Sequence, residues 1–424
     1  MKPSSLFGHA CELVEILLRD SRPADHLIDV FFRQRRYLGA HDRRELAESA
    51  YGLLRQRRLL QALVARVDEQ KSLEPAWLLA AYKIHIEKRP PESLNETARP
   101  LSFQQIKKIA EQSPAELGRD NIGVRLSFPD WLVAALQQQH GKESVPLLEA
   151  LNQPPPLTLR VNTLQATREA CLRELQKRGF DCAPAALSPM GIQLAKRTNL
   201  FALDLFREGW FEVQDEGSQL ISLLLDPKPS WRVADVCAGG GGKTLHLASL
   251  MKNRGELFAF DVVAPRLENL KKRVRRSGIH NVRTQVLQPN AVPQNLLGQF
   301  DAVLIDAPCT GTGVLRRNPD AKWKITAEMV QELAAKQKGI IAHYASLLKP
   351  GGRLVYATCS LMAEENEQIV EGFLQEHAGF RANDAAAILQ RYGLAKLAEG
   401  SYMKLLPHRH GCDGFFAAVM ERTK

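Results

Sequence analysis

From residue 5 to about residue 88, apolar residues recur three and four positions apart, as in Leu13, Ile16 and Leu17 and again in Leu27, Val30 and Phe31. That period lines one face of a helix, so the segment predicts a small helical bundle. A polar, proline-marked stretch over 89–100 interrupts it, and helices resume over 103–112 and 128–140. The helical part is expected to end near residue 145.

Pro154, Pro155 and Pro156 mark a boundary. Beyond it Leu157 to Val161 reads as a strand, Arg168 to Arg178 as a helix, and the stretch through Phe211 as short strands, which together make a small α+β module. From Trp231 onward short apolar strands alternate with amphipathic helices, the rhythm of a doubly wound parallel α/β sheet. Its chemistry is expected at the C-terminal ends of the strands. Three domains follow from these shifts: 1–145, 146–225 and 226–424.

The 424 residues are 45% hydrophobic, enough for conventional cores. No run of about 18 apolar residues is present, and acidic residues interrupt the apolar pattern of the first 20 positions. These features predict a cytoplasmic protein without membrane contact; a monomer is expected. Seven cysteines are scattered with no CxxC pair, which predicts reduced thiols. His408 and His410 lie near Cys412 but lack a fourth ligand, so no metal is expected.

The net charge of +10 favours a polyanionic partner, because each cation that neutralises a phosphate releases a counterion. Arg33, Arg35, Arg36, Arg43, Arg44, Arg55, Arg57 and Arg58 crowd the helical part, where they suit phosphate contact or a solvated helix face. A second basic run, Lys271, Lys272, Arg273, Arg275 and Arg276, falls on a helix whose expected buried stripe is Leu267, Leu270 and Val274, so its cations are expected to face outward. The loop from Arg316 to Trp323 mixes cations with an indole, suited to base stacking or to packing.

Candidate chemistry begins where the strand from Arg232 to Val236 runs into Cys237, Ala238, Gly239, Gly240, Gly241, Gly242, Lys243 and Thr244. Glycines there let a ligand approach the backbone, and a helix N-terminus offers N–H groups to an anion or a carboxylate. Gly242-Lys243-Thr244 resembles the end of a nucleotide-binding P-loop, with Asp306 in the place of a second-motif acid, but Cys237 occupies the position of that loop's first glycine. The dinucleotide pattern fails at Thr244. Asp261, at the end of the next strand, can hold ribose hydroxyls, so loop plus acid fits the adenosine cofactor S-adenosylmethionine.

Two further strand ends carry thiols: Asp306-Ala307-Pro308-Cys309-Thr310-Gly311-Thr312-Gly313 and Thr358-Cys359-Ser360. In a parallel sheet both loops leave one edge, so the thiols can converge. A thiolate adding at carbon 6 of cytosine turns carbon 5 into a nucleophile toward a methyl sulfonium. A donor must then stabilise charge at ring nitrogen 3, a duty for which Asp306 is placed, and Cys309 is placed to assist release.

With Phe211-Glu212-Val213-Gln214-Asp215, Leu159-Arg160-Val161-Asn162, Arg317 to Trp323, Glu364-Glu365-Asn366 and Asp413-Gly414-Phe415-Phe416, these motifs resemble, in the same order over about residues 128–424, the Sun-type (RsmB-related) RNA cytosine-5 methyltransferases. The resemblance implies a Rossmann-like methyltransferase sheet and S-adenosylmethionine as cofactor. It implies that Cys359 attacks carbon 6, that Cys309 helps expel the enzyme, and that Asp306 and Lys243 face the base. Gly241, Asp261 and Arg266 would line the cofactor site together with the rest of 237–243. In DNA cytosine methyltransferases the nucleophile sits in the Pro-Cys loop, here Cys309, so the second thiol points to RNA.

The sequence departs from the family pattern in two places: Gly239 and Gly240 replace the usual Ala or Pro, and Asn290 stands near a usual aspartate. A looser loop and a changed cofactor affinity are expected. The helical part is similar to the domain, related to the antitermination factor NusB, of bacterial ribosomal RNA members. That similarity implies 16S ribosomal RNA as substrate, with transfer RNA as the alternative. A non-catalytic RNA-binding assembly factor and a P-loop hydrolase are the readings from other classes.

Overall fold

The computed structural model describes residues 2–119, 121–196, 198–288 and 291–424. The chain divides into two compact units, 1–154 with 315–327, and 155–314 with 328–424.

The first unit is helical. Its longer helices are Pro3–Arg19, Ala24–Gln34, Ala40–Val67, Pro75–His85 and Asp130–His140, and Ser144–Leu151 carries the helical run past residue 145. Prolines open the helices at 3 and 75, where the missing N–H has no partner to lose. The first helix buries Ala10, Leu13, Val14 and Leu17, while Ile16 is 36% exposed. Ile28, not Val30, joins Leu27 and Phe31 inside. Both differences have one cause: an apolar residue beside the stripe fits the spacing, yet at 3.6 residues per turn it sits off the buried face.

Segment 315–327 packs into this unit. Lys322 is 1% exposed, and its ammonium donates to the Arg55 carbonyl at 2.7 Å and to Asn152 Oδ1 at 2.8 Å, above the Phe128 ring. Burial, with Arg55 adding to it, holds that ammonium far below its ordinary pKa. The Trp323 indole N–H donates to the Leu54 carbonyl at 2.8 Å, so the ring is a packing anchor. Arg33, Arg35, Arg44 and Arg58 pair with Asp29, Glu12, Glu48 and Asp130, and Arg43 and Arg55 donate to the Leu38 and Arg316 carbonyls. Much of the arginine run is therefore engaged within its own unit.

The second unit opens with a small antiparallel sheet, β1 (Leu157–Val161), β2 (Cys182–Pro184), β3 (Gly191–Leu194) and β4 (Phe211–Val213), in the order β2-β3-β1-β4. Thr167 caps helix Arg168–Lys177, which lays Cys171 and Leu175 against it.

The large sheet has nine strands among the described residues. They are β5 (Arg232–Asp235), β6 (Glu256–Asp261), β7 (Val282–Val286), β8 (Phe300–Asp306), β9 (Leu348–Thr358), β10 (Phe380–Ala382), β11 (Ala398–Glu399), β12 (Tyr402–Leu405) and β13 (Phe415–Arg422). The order is β11-β12-β13-β9-β8-β5-β6-β7, with β10 beside β13; β9-β8-β5-β6-β7 pair in parallel and β13 runs antiparallel to β9.

Alternate residues bury on opposite faces: Val233, Ala302, Leu304 and Val355 join one core, Ala234, Val303, Ile305 and Leu354 the other. Two buried faces account for the nearly continuous apolar strands. The winding direction reverses between β5 and β8, so a crevice opens beyond their C-terminal ends.

Candidate active site

The β8 and β9 loops meet at that edge. Asp306 registers with Ala357, and beyond them, three residues along one loop and two along the other, the Cys309 and Cys359 sulfurs lie 3.4 Å apart. Gly313 permits the approach: its N–H donates to the Cys359 carbonyl at 2.9 Å, and its own carbonyl accepts from the Gly414 N–H at 2.9 Å. A Cβ on Gly313 would stand 2.3 Å from the Gly414 oxygen and 2.8 Å from the Cys359 oxygen. Because backbone cannot give way, Gly313→Ala is expected to destabilise the protein by about 1–3 kcal/mol through overpacking. Thermal denaturation followed by circular dichroism measures this, and an unchanged midpoint refutes it.

Asn366 braces the second loop, accepting from the Thr358 hydroxyl at 2.5 Å and donating to the Ser360 carbonyl at 3.0 Å. The Cys309 thiol is pushed well above its ordinary pKa by its bond to Cys359, by burial and by the Glu365 charge.

Beside the thiols, the Lys243 ammonium donates to Asp306 Oδ2 at 2.6 Å. Burial pulls the ammonium pKa down, but the charge and hydrogen bond of Asp306, with Cys359 and Asp235 adding to them, together outweigh it and the value ends above the ordinary one. Asp235, on β5, is fully buried and accepts from the Thr244 hydroxyl at 2.6 Å; desolvation raises its carboxyl to about 7. Burial also raises the Cys237 thiol.

These groups border a cavity of about 270 Å³ lined by Cys237, Ala238, Gly239, Gly240, Gly242, Lys243, Asp235 and Asp306, with Val213, Gln214, Ser218 and Arg273 closing it. Gly241, at φ 84°, packs on Leu270 instead, where a Cβ would come within 2.1 Å of Leu270 Cδ1. Asp261 braces the loop: its Oδ2 accepts from Gly239 N–H and its Oδ1 from Val263 N–H, each at 2.8 Å. Arg266 is largely exposed, 3.9 Å from Asp261. Asn290 lies outside the described residues.

The donor set fits an adenosine cofactor carrying a methionine tail. A Cβ on Gly239 would meet nothing closer than 4.0 Å and one on Gly240 only the Arg273 guanidinium at 3.4 Å. The loop backbone therefore stands bare toward the cavity at the start of helix Gly242–Leu250.

The basic helix Ala264–Arg276 corrects the sequence reading. Lys271, Lys272 and Arg275 are exposed, but Arg273 donates to the Gly240 carbonyl and, at 3.0 Å, to Glu212, which Arg276 also engages. Glu212 is 4% exposed, and a carboxylate that deep requires cationic partners, which turns these two arginines inward. Buried Arg160 braces the far side, donating to the Gly242 carbonyl at 2.5 Å and to Gln214. Arg160, Glu212 and Gln214 stood inside recognised motifs without a role; for Arg160 and Glu212 a charge within an apolar strand was the available signal, and Gln214 had none. Among the described residues no group of three or more His, Cys, Asp or Glu is spaced to hold a metal, and no helix is long and apolar enough to cross a membrane.

Residues 222–421 match the family profile described as 16S rRNA methyltransferase RsmB/F, and residues 128–200 match its ferredoxin-like domain. The ribosomal RNA small subunit methyltransferase B of Pectobacterium carotovorum is 33% identical, covering 100% of both chains. Its namesake in Shewanella oneidensis is 30% identical over 91% of this chain and 92% of its own. Among solved structures, the crystal structure of PH0851 superposes with a TM-score of 0.81 at 27% identity, covering 100% of this chain and 99% of that one. A methyltransferase homolog from Pyrococcus horikoshii gives 0.62 at 30% identity, covering 73% of this chain and all of its own.

Proposed function

Because the chain belongs to the 16S rRNA methyltransferase RsmB/F family, and so is an RNA methyltransferase dependent on S-adenosylmethionine, we propose that it methylates carbon 5 of a cytosine in small-subunit ribosomal RNA through a covalent bond to Cys359. The observation that carries this reading is the pair of thiols 3.4 Å apart, next to the Lys243–Asp306 pair at the mouth of a glycine-lined cavity. Neither a P-loop hydrolase nor a binding-only factor needs two converging sulfurs.

S-adenosylmethionine would supply an electrophilic methyl group, and residues 237–240, 242 and 243 would hold it with Asp261 and Arg266, and with Asn290 at the adenine end. The Cys359 thiolate bonds to carbon 6 of the cytosine, and the displaced π pair moves toward ring nitrogen 3. The Lys243–Asp306 pair provides the donor that meets that charge, in a site where burial makes each hydrogen bond count for more. Carbon 5 would then take the methyl group, the methyl–sulfur bond of the sulfonium breaking with its electron pair left on the departing thioether. Its proton leaves as the carbon 6–sulfur pair returns to Cys359, with Cys309 assisting from alongside.

We read 1–145 as a NusB-like RNA-gripping domain, 146–225 as a second RNA-binding module and 226–424 as the catalytic domain; the net charge of +10 supports an RNA partner for the chain as a whole. A base within a stack must turn out to reach the thiols, which a single-stranded site makes easy.

Incubation with methyl-labelled S-adenosylmethionine and small-subunit ribosomal RNA, followed by digestion to nucleosides, is expected to place label in 5-methylcytidine. Label confined to transfer RNA selects that alternative, and label in another nucleoside overturns the chemistry.

Arg273 bonds the carbonyl of Gly240, one of the two glycines that depart from the family pattern, and so supplies stiffening that the usual Ala or Pro would give. Arg273→Ala removes a charge-assisted bond and is expected to raise KM for S-adenosylmethionine by about tenfold, with kcat changed much less. Initial rates over a cofactor titration decide it; a fall in kcat at constant KM contradicts the assignment.

A further inference from the structure

Glu365 closes the short turn Ala363–Glu365 and is 0% exposed. Its two oxygens serve two different loops. Oε1 accepts from the Thr310 N–H at 2.9 Å and from the Gln337 amide at 3.0 Å, while Oε2 accepts from the Thr310 hydroxyl at 2.5 Å and from the Ser360 hydroxyl.

Thr310 directly follows Cys309 and Ser360 directly follows Cys359. One carboxylate thus grips the residue after each thiol. Gln337, itself fully buried, donates also to the Pro308 carbonyl at 2.9 Å, so the residue before Cys309 is held by the same network. The Glu365 backbone is fixed in turn, its carbonyl accepting from the Tyr356 hydroxyl at 2.7 Å.

A carboxylate without solvent is costly, and packing alone is served better by an apolar side chain. Four donors converging from three segments explain its retention if the separation of those segments matters. We propose that Glu365 is a positioning residue that sets the distance and orientation of Cys309 relative to Cys359, and thereby the rate at which the covalent RNA adduct breaks down. The second clause rests on the function proposed above; the first does not. After its bond to Cys359 and its burial, the Glu365 charge is among the causes that keep Cys309 protonated.

The test uses the full chain with Glu365→Gln, which keeps size but turns an N–H₂ toward donors, and with the milder Thr310→Val. Thiol juxtaposition is read without RNA, as the rate at which diamide converts Cys309 and Cys359 to a disulfide, scored by mass spectrometry of the linked peptide. Both variants are expected to cross-link at least about tenfold more slowly than the unaltered protein, since an ångström-scale displacement of reacting groups has effects of up to 10²-fold. Turnover is read in parallel: kcat should fall by a similar factor, KM for S-adenosylmethionine should stay within about twofold, and the fraction of protein in a detergent-stable RNA adduct should rise.

Unchanged cross-linking in either folded variant overturns the positioning role. Slower cross-linking with an unchanged adduct fraction overturns its link to adduct breakdown. If Glu365→Gln does not fold, Thr310→Val decides alone. Failure of Cys309→Ala to trap any adduct counts against the underlying reading of Cys309, and the cross-linking result still stands or falls for Glu365.

Discussion

Replacing Cys359 by alanine is expected to lower methyl transfer to RNA by roughly 10⁴- to 10⁶-fold, the scale on which enzymes lose turnover when a covalent nucleophile is removed. Carbon 5 of cytosine is too weak a nucleophile to displace a sulfonium leaving group unaided, so deleting the sulfur removes the route rather than slowing one step. The loss should fall on kcat. Cys359 does not line the cofactor cavity, and Asn366 braces its loop through Thr358 and the Ser360 carbonyl, groups the substitution leaves in place. Single-turnover assays at saturating S-adenosylmethionine measure the effect, and calorimetric titration checks that cofactor still binds.

The same variant separates two chemistries that share this pocket. If Cys309, in the Pro-Cys loop, were the nucleophile, Cys359→Ala would still form a detergent-stable bond to RNA. No such adduct is expected. Its appearance reverses the two roles.

How far the chain announced all this differs from element to element. The large sheet was legible because its central strands are buried on both faces and flanked by amphipathic helices, a pattern written within each ten-residue window. Their spatial order was not. Placing β8 between β5 and β9 depends on pairings among residues far apart in sequence, which no local period encodes.

Ile16 and Val30 show the finer limit: periodicity marks a face but does not decide which of two adjacent apolar residues lies on it. The thiols could be singled out because parallel strands deliver their loops to one edge. Their separation could not, since Gly313 and Glu365 set it through contacts with Gly414, Thr310 and Ser360. In the sequence Glu365 is one of two adjacent acids inside a motif, with nothing local to mark it as buried. Arg273 reads as a surface cation until Glu212, 61 positions away, is seen to be buried beneath it. Trp323 is alike, its indole partner being the Leu54 carbonyl, 269 positions away.

Replacing Cys309 by alanine should have the opposite signature to the first variant: RNA covalently attached to the protein accumulates while product formation falls by about 10²- to 10⁴-fold, the usual worth of a positioned proton-transfer group. Addition of Cys359 to carbon 6 and methylation of carbon 5 do not require the second sulfur, so both proceed. What is lost is the exit, in which the carbon 5 proton departs and the carbon 6–sulfur bond breaks, and the Cys309 sulfur lies 3.4 Å from the leaving sulfur. Cys309→Ser, which restores a group able to carry a proton at nearly the same place, should relieve part of the accumulation. Denaturing gel electrophoresis of each variant with labelled RNA, with and without S-adenosylmethionine, provides the measurement. A Cys309→Ala protein that turns over normally, or stalls without any adduct, removes Cys309 from the release step and leaves Cys359 to carry out addition and elimination alone.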